Sequence, residues 1–453
     1  MMLALLALGG ALVGLTIWRP AIGCCVLALG IPLLTGLGRN TVVPLLRPNE
    51  ALLLVVAIGL TAHYLPRRRS LPVTGLDLLI GCFAVGLVLI PSLLLFVTHG
   101  AWDFDRVRLV LGPLQFLMVY TVFSRAGLSE RSLAICLNLA LLASVIVGLI
   151  AVIQLTGVSP GFRRLLETYY PPEAVHAWDP VDRPTSLLGH FSSVGAFAAL
   201  NYTLALALAA TRHPGFSATW LSLVMGVNVA AVLASLTLAP AIGLLPVTLV
   251  IIWYARRVPR QLMAVLAAGV LALVLLAPFF STRLNQQHIS LGGAQELKLP
   301  QSLDFRIALW NEFFIPTISR HVWLGTGTVI PSEIPTSLTQ NVDNEYLGMM
   351  FRAGIPGLGL LISLLVGLAV AGWHSRSSSA AWRRSLGGAV LGYAVLIATI
   401  GIAAEYITYG GVSQHIAMVV GLLVGAARPH GASSPESAVQ PAVVSPGLRL
   451  ALS

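Results

Sequence analysis

The side chains able to do chemistry gather in two polar stretches, residues 156–186 and 281–344, set between long apolar runs. The second stretch holds Asp304-Phe305-Arg306-Ile307-Ala308-Leu309-Trp310-Asn311-Glu312-Phe313-Phe314, with apolar side chains at helical spacing and charge on the other side. That pattern predicts an amphipathic helix at a membrane surface. A glycine turn, Trp323-Leu324-Gly325-Thr326-Gly327, follows. Asn341-Val342-Asp343-Asn344-Glu345-Tyr346-Leu347 then runs straight into an apolar span bearing Gly354-Ile355-Pro356-Gly357. Arginine forks pair bidentately with phosphate oxygens and do not lose their proton, and a carboxylate can take the proton of an attacking hydroxyl. Each residue also has an ordinary alternative. Arg306 can anchor an interfacial helix by reaching the headgroups, and Arg183 can be a positive residue at a membrane edge. Asp343 or Asn344 can cap the following span, and His190 can be a packed, hydrogen-bonded histidine.

Other polar residues sit in less expected places. Glu405-Tyr406 falls near the end of the penultimate helix, where an ionisable side chain is costly without a partner; an arginine of the same end would supply one. Arg352 lies one or two turns inside its span and faces either a polar cavity or the interface. Trp102-Asp103-Phe104-Asp105 contains the Asp-x-Asp spacing of a metal site, without a histidine or further acid nearby. Cys24, Cys25, Cys82 and Cys136 all fall inside apolar segments without metal-ligand spacing, and imply no disulfide framework.

The elements that must position these groups are membrane helices. Of 453 residues, 57% are hydrophobic and 10% charged, against roughly a quarter charged in soluble domains. Apolar runs approach the roughly 20 residues that span a bilayer core at about 2–18, 20–37, 49–65, 76–98, 107–123, 131–155, 187–210, 218–237, 239–255, 262–280, 345–372, 386–405 and 411–427. The expected fold is an all-α polytopic bundle of 12–13 spans with a large extracytoplasmic loop containing amphipathic helices. Residues either side of Pro240 form one broken helix, a re-entrant hairpin or two spans. Met1–Trp18 lacks a basic leader and a cleavage site and reads as a retained span.

Basic clusters orient the bundle. Arg67-Arg68-Arg69, Arg125 with Arg131, Arg212, Arg256-Arg257 with Arg260, Arg376 with Arg383-Arg384, and Arg428 share one side if the helices alternate. That side is the cytoplasm, because positive residues are retained there. The net charge of +10 is thereby accounted for by membrane orientation and not by nucleic acid. The expected organisation is amino-terminal helices over 1–155, a first outer loop over 156–186, central helices over 187–280, the large outer loop over 281–344, carboxy-terminal helices over 345–427 and a disordered cytoplasmic tail over 428–453. Long polar loops between brief connections usually carry function.

The order Arg306, Trp310, the Leu324-Gly325-x-Gly327 turn, Asp343-Asn344-x-Tyr346-Leu347 and Gly354-Ile355-Pro356-Gly357 resembles the carboxy-terminal signature of the O-antigen ligase and polysaccharide polymerase superfamily. Arg183-Pro184-Thr185-Ser186-Leu187-Leu188-Gly189-His190 resembles the approach to that family's earlier outer-side helix, and Arg283-Leu284 fits after the preceding span. The resemblance covers about residues 180–370. It implies an enzyme of the bacterial inner membrane that takes a glycan from an undecaprenyl-pyrophosphate carrier and joins it to an acceptor hydroxyl on a glycan or lipid, without metal, cofactor or nucleotide sugar. Its other partners would be membrane lipid and further polysaccharide-assembly proteins. In that reading Asp343 and Arg306 are catalytic. Arg183, Arg283, Arg306, Asn344 and Tyr346 hold pyrophosphate or substrate, with His190, Trp310 and Glu405 behind them. Two departures stand out. Ligases of the family usually have histidine where this chain has Asp343, which favours a polymerase. The Thr-x-Ser-Arg step of a middle span reads Thr237-Leu238-Ala239-Pro240, so that arginine is absent.

Two other functions fit the span count: a transporter or flippase of lipid-linked glycan, and a non-catalytic subunit of an export system. Transporters tend towards short outer loops, ionisable residues near the midplane and paired halves, whereas here the long outer loop is the most distinctive part and the sequence shows no internal repeat.

Overall fold

A computed structural model describes residues 2–38, 46–67, 72–99, 111–170, 183–288, 301–328, 331, 334 and 342–427. The Asp103/Asp105 pair, Asn341 and the tail from residue 428 lie outside them. The protein is an all-α polytopic membrane protein, and each of the expected apolar runs falls on a helix. The helices are α1 (Met2–Trp18), α2 (Pro20–Leu34), α3 (Pro48–Tyr64), α4 (Gly75–His99), α5 (Gly112–Arg125), α6 (Glu130–Thr156), α7 (Pro160–Tyr169), α8 (Phe191–Ala210), α9 (Ala218–Ala234), α10 (Leu238–Ala255), α11 (Gln261–His288), α12 (Gln301–Leu309), α13 (Ile315–Arg320), α14 (Glu345–His374), α15 (Ala381–Ile400) and α16 (Val412–Ala427). Hydrocarbon leaves backbone N–H and C=O groups no water to bond, so runs this apolar must satisfy them internally as helices.

The bundle is built around α8, whose sequence FSSVGAFAALNYTLALALAA is dominated by small residues. Small side chains let neighbouring backbones come close, and α8 is wholly buried among α6, α9, α10, α15 and α16. α11 lies at the other extreme: it packs on α9 and turns Met263, Leu266, Val270, Leu271, Val274 and Leu275 outward, a surface suited to lipid. The region around Pro240 resolves into two helices. The chain breaks at Ser235–Thr237, with Leu236 at φ 50°, and Pro240 sits in the first turn of α10, where a missing N–H costs nothing.

The helices alternate in direction, so the ends of the bundle separate by chemistry. At one end the short basic loops meet: Arg125 pairs with Asp77 at 3.1 Å, Tyr64 donates to the Arg125 carbonyl at 2.5 Å, and Tyr254 donates to the Arg384 carbonyl at 3.0 Å. At the other end the chain entering α8 and α14 is tied to the turns after α2 and α15. There Gly36 N–H donates to the Leu187 carbonyl at 2.8 Å, and Glu345 N–H to the Gly401 carbonyl at 2.7 Å.

Two boundaries differ from the sequence expectation, and both matter at this loop end. The penultimate helix ends at Ile400, so Glu405 lies in the turn that follows and not in the helix. The first polar stretch is not all loop. Pro160 opens α7, whose Leu166 is buried and whose neighbour Tyr170 donates to the Leu33 carbonyl at 2.9 Å.

Candidate functional site

The second polar stretch folds as α12, a five-residue π-helical turn (Trp310–Phe314) and α13. Phe314, Ile318, Ile334, Val342 and Phe351 form a small apolar core beneath it, separate from the bundle core. This core fixes the stretch to the start of α14. Arg306 and Trp310, four residues apart, share a face and both reach the strand of chain entering α14. Arg306 Nε donates to Asp343 Oδ2 at 3.0 Å, and Trp310 Nε1 donates to the Val342 carbonyl at 2.7 Å.

Asp343 is held in the left-handed region, with φ 52°, a conformation uncommon outside glycine. The adjoining residues clamp it there. Asn344 caps α14, its Oδ1 accepting from the Tyr346 and Leu347 amides at 3.0 Å each, while its Nδ2 donates to the Ile402 carbonyl at 3.1 Å. Capping therefore belongs to Asn344, and the Asp343 carboxylate is turned towards Arg306. Tyr346 donates to the Ala398 carbonyl at 2.7 Å, so it ties α14 to α15.

The glycine turn and the Gly354-Ile355-Pro356-Gly357 step form a single device. Pro356 has no N–H for the Arg352 carbonyl, and Gly354, at φ 60° and ψ −154°, breaks the helix. The carbonyls so released are taken by the turn: Thr326 N–H donates to Phe351 at 2.7 Å, and Gly327 N–H to Arg352 at 3.1 Å. In return Ile355 N–H donates to Val322 at 2.9 Å. Contact is so close that a Cβ on Gly325 would lie 2.6 Å from the Phe351 oxygen.

The kink sets Arg352 to form an ion pair with Glu405, which is 5% exposed. Burial pushes the Glu405 carboxyl above its ordinary range, and the charge of Asp343 adds to this; Arg352 and the Val342 amide oppose it. Glu345, 1% exposed, accepts from Ile407 N–H at 2.9 Å and holds the 401–411 turn from beneath. Glu345 and Arg352 complete a cluster of two guanidiniums and three carboxyl groups. Glu345 was not singled out by sequence reasoning. Its signal, an acid at the first position of an apolar helix, is hidden by the capping residues before it.

The upstream candidates assemble beside this cluster. Arg183 Cζ stands 3.4 Å from the Phe191 ring centroid, and His190 stacks on Phe191 at 4.4 Å and lies 4.8 Å from Tyr409. His190 Nδ1 accepts from Ser192 N–H at 3.1 Å and so caps α8. Its pKa is drawn down to about 4, first by burial and then by the Arg183 charge. Tyr409 packs edge-on against Tyr406 at 5.7 Å, which joins the two groups. Arg283 stands on α11. Among the described residues no three His, Cys, Asp or Glu side chains are grouped to hold a metal.

No curated protein matches the chain. Residues 220–362 match the family model described as O-antigen ligase, a stretch that contains Arg283, Arg306, Asp343 and the kinked part of α14. With its all-helical architecture, the chain is a multi-pass membrane protein that carries a region similar to the O-antigen ligase family.

Proposed function

We propose that the protein is a glycosyltransferase that moves a glycan from an undecaprenyl-pyrophosphate carrier to an acceptor hydroxyl at the outer face of the bacterial inner membrane, as a polysaccharide polymerase or an O-antigen ligase does. The observation that carries this reading is the Arg306–Asp343 pair at 3.0 Å, set on a clamped backbone at the end of the bundle opposite the basic loops. Positive residues are retained in the cytoplasm, which favours an outward-facing site.

The pair suits both halves of the reaction. Arg306 engages Asp343 through Nε alone, which leaves its two Nη groups to face a phosphate. Asp343 takes the proton of the acceptor hydroxyl as that oxygen bonds to the anomeric carbon. The bond from that carbon to the phosphate oxygen breaks, and its electron pair leaves on the undecaprenyl pyrophosphate. Guanidinium hydrogen bonds strengthen as this charge develops, which is where a fixed donor contributes most. Glu405, Arg352 and Trp310 position the Asp343 backbone, and Arg183 adds positive charge from the His190 side.

The test uses purified protein in nanodiscs with a lipid-linked donor. Asp343→Asn and Arg306→Lys should each slow transfer by about a hundredfold or more while leaving melting within about 1 kcal/mol of wild type, because both side chains are roughly a quarter to a third exposed. Full transfer activity in both variants would refute the assignment.

A further inference from the structure

The cluster described above holds little spare positive charge. Arg306 is paired with Asp343 and Arg352 with Glu405, and Glu345 adds a third carboxyl group. A pyrophosphate ester carries several negative charges, so its site needs cations beyond these two. The same end of the bundle offers one that the functional reading has not used.

Arg47 precedes α3 and is half-buried. Its backbone N–H donates to Glu50 Oε2 at 3.0 Å, and Glu50 Oε1 accepts from Gln115 Nε2 at 2.9 Å, so that carboxylate serves the helix cap and α5. Among the described residues no carboxylate pairs with the Arg47 guanidinium. Gln115 Oε1 in turn accepts from Gln414 Nε2 at 2.9 Å, and Gln414 Oε1 accepts from Gly411 N–H. This chain of bonds fastens α3 and α5 to the 401–411 turn.

Gly410 marks the contact. A Cβ there would lie 2.8 Å from Thr35 Cγ2 and 3.8 Å from Arg47 Nη1, so the guanidinium rests against the turn's backbone. The preceding residue, Tyr409, packs on His190, which stacks on the Phe191 ring that Arg183 covers. Arg47 thus reaches the Tyr409-Gly410 step from α3, and Arg183, from the entry to α8, covers the Phe191 ring on which the Tyr409 neighbour His190 stacks.

We propose that Arg47 is a pyrophosphate-binding residue that, with Arg183, forms a two-guanidinium seat for the diphosphate of the lipid-linked donor across the Tyr409-Gly410 step. This rests on the glycosyltransferase reading above. Arg47 holds the donor and takes no part in activating the acceptor. Its loss should therefore raise KM for the donor and weaken pyrophosphate binding while leaving KM for the acceptor unchanged.

The experiment measures inorganic pyrophosphate binding by calorimetry, and donor and acceptor kinetics, on the full chain in nanodiscs as wild type, Arg47→Ala, Arg47→Lys and Arg306→Lys. The expected result is a pyrophosphate affinity about tenfold to a hundredfold weaker in Arg47→Ala, and an intermediate loss in Arg47→Lys, which keeps the charge without the fork. Wild-type pyrophosphate affinity and donor KM in Arg47→Ala, with Arg306→Lys impaired, overturn the role of Arg47 and leave the functional reading intact. A wild type that transfers glycan without binding pyrophosphate likewise overturns it. A wild type that does neither overturns both.

Discussion

Replacing Gly354 by alanine tests whether the kink in α14 and the glycine turn act as one device. At φ 60° and ψ −154° the backbone lies in a region open almost only to glycine, and strain there costs about 1–3 kcal/mol. The added methyl would also lie 2.5 Å from the Trp323 carbonyl carbon and oxygen, so the turn must retreat. Its withdrawal loses the bonds from Thr326 to Phe351, Gly327 to Arg352 and Ile355 to Val322, each worth about 1 kcal/mol. The combined cost is on the order of 4–6 kcal/mol, a large part of the roughly 5–15 kcal/mol that stabilises a typical fold. Thermal melting in nanodiscs reads it, with Gly359→Ala as the control. Gly359 lies on the same helix, and a Cβ there meets nothing within 4 Å, so this change should be neutral or slightly stabilising. Equal melting of the two variants would refute the coupling of turn and kink.

Three further predictions follow from buried groups at the same end. Arg352→Met strands Glu405 in the interior and should cost about 3–5 kcal/mol, whereas Arg352→Met with Glu405→Met should recover much of it; melting of the single and double variants compares them. His190 is held near pKa 4 in the fold against 6.5 when unfolded, so protonation favours the unfolded state. Stability from this group is full above about pH 6.5 and falls by about 3 kcal/mol as pH drops towards 4. His190→Asn, which keeps an acceptor for the Ser192 amide, should flatten that part of the pH–melting curve. Asn344→Ala removes a helix cap and the bond to Ile402, and should cost about 1–2 kcal/mol in melting.

The sequence revealed the membrane helices because a run of apolar residues leaves the chain no other way to satisfy its backbone, and the expected runs all became helices. Boundaries set by tertiary contact were less legible. Ile400 ends α15 at a glycine whose carbonyl accepts from Glu345, a partner more than fifty residues away in the chain. The grouping of Arg306, Trp310 and Asp343 came from the order of motifs that carries the resemblance; in the structure Arg306 bonds Asp343, and Trp310 bonds the carbonyl of the preceding residue, Val342. The division of labour between Asp343 and Asn344 did not follow, because either residue type can cap a helix; only the left-handed backbone at Asp343 separates them. Arg47 and Glu345 were hidden for the opposite reason. Each stands beside an obvious capping position, and its significance comes from a turn contributed by the far end of the chain.

The most direct test of the central claim is a polymer-length assay in a strain deleted for the gene and complemented with wild type or Asp343→Ala at equal membrane levels. Surface polysaccharide and lipid-linked units would be compared on gels. The account predicts that short lipid-linked units accumulate outside the membrane in both the deletion and the Asp343→Ala strain, and that only the wild type restores joined polymer. Normal polymer in the deletion, or precursors trapped on the cytoplasmic side, would contradict it.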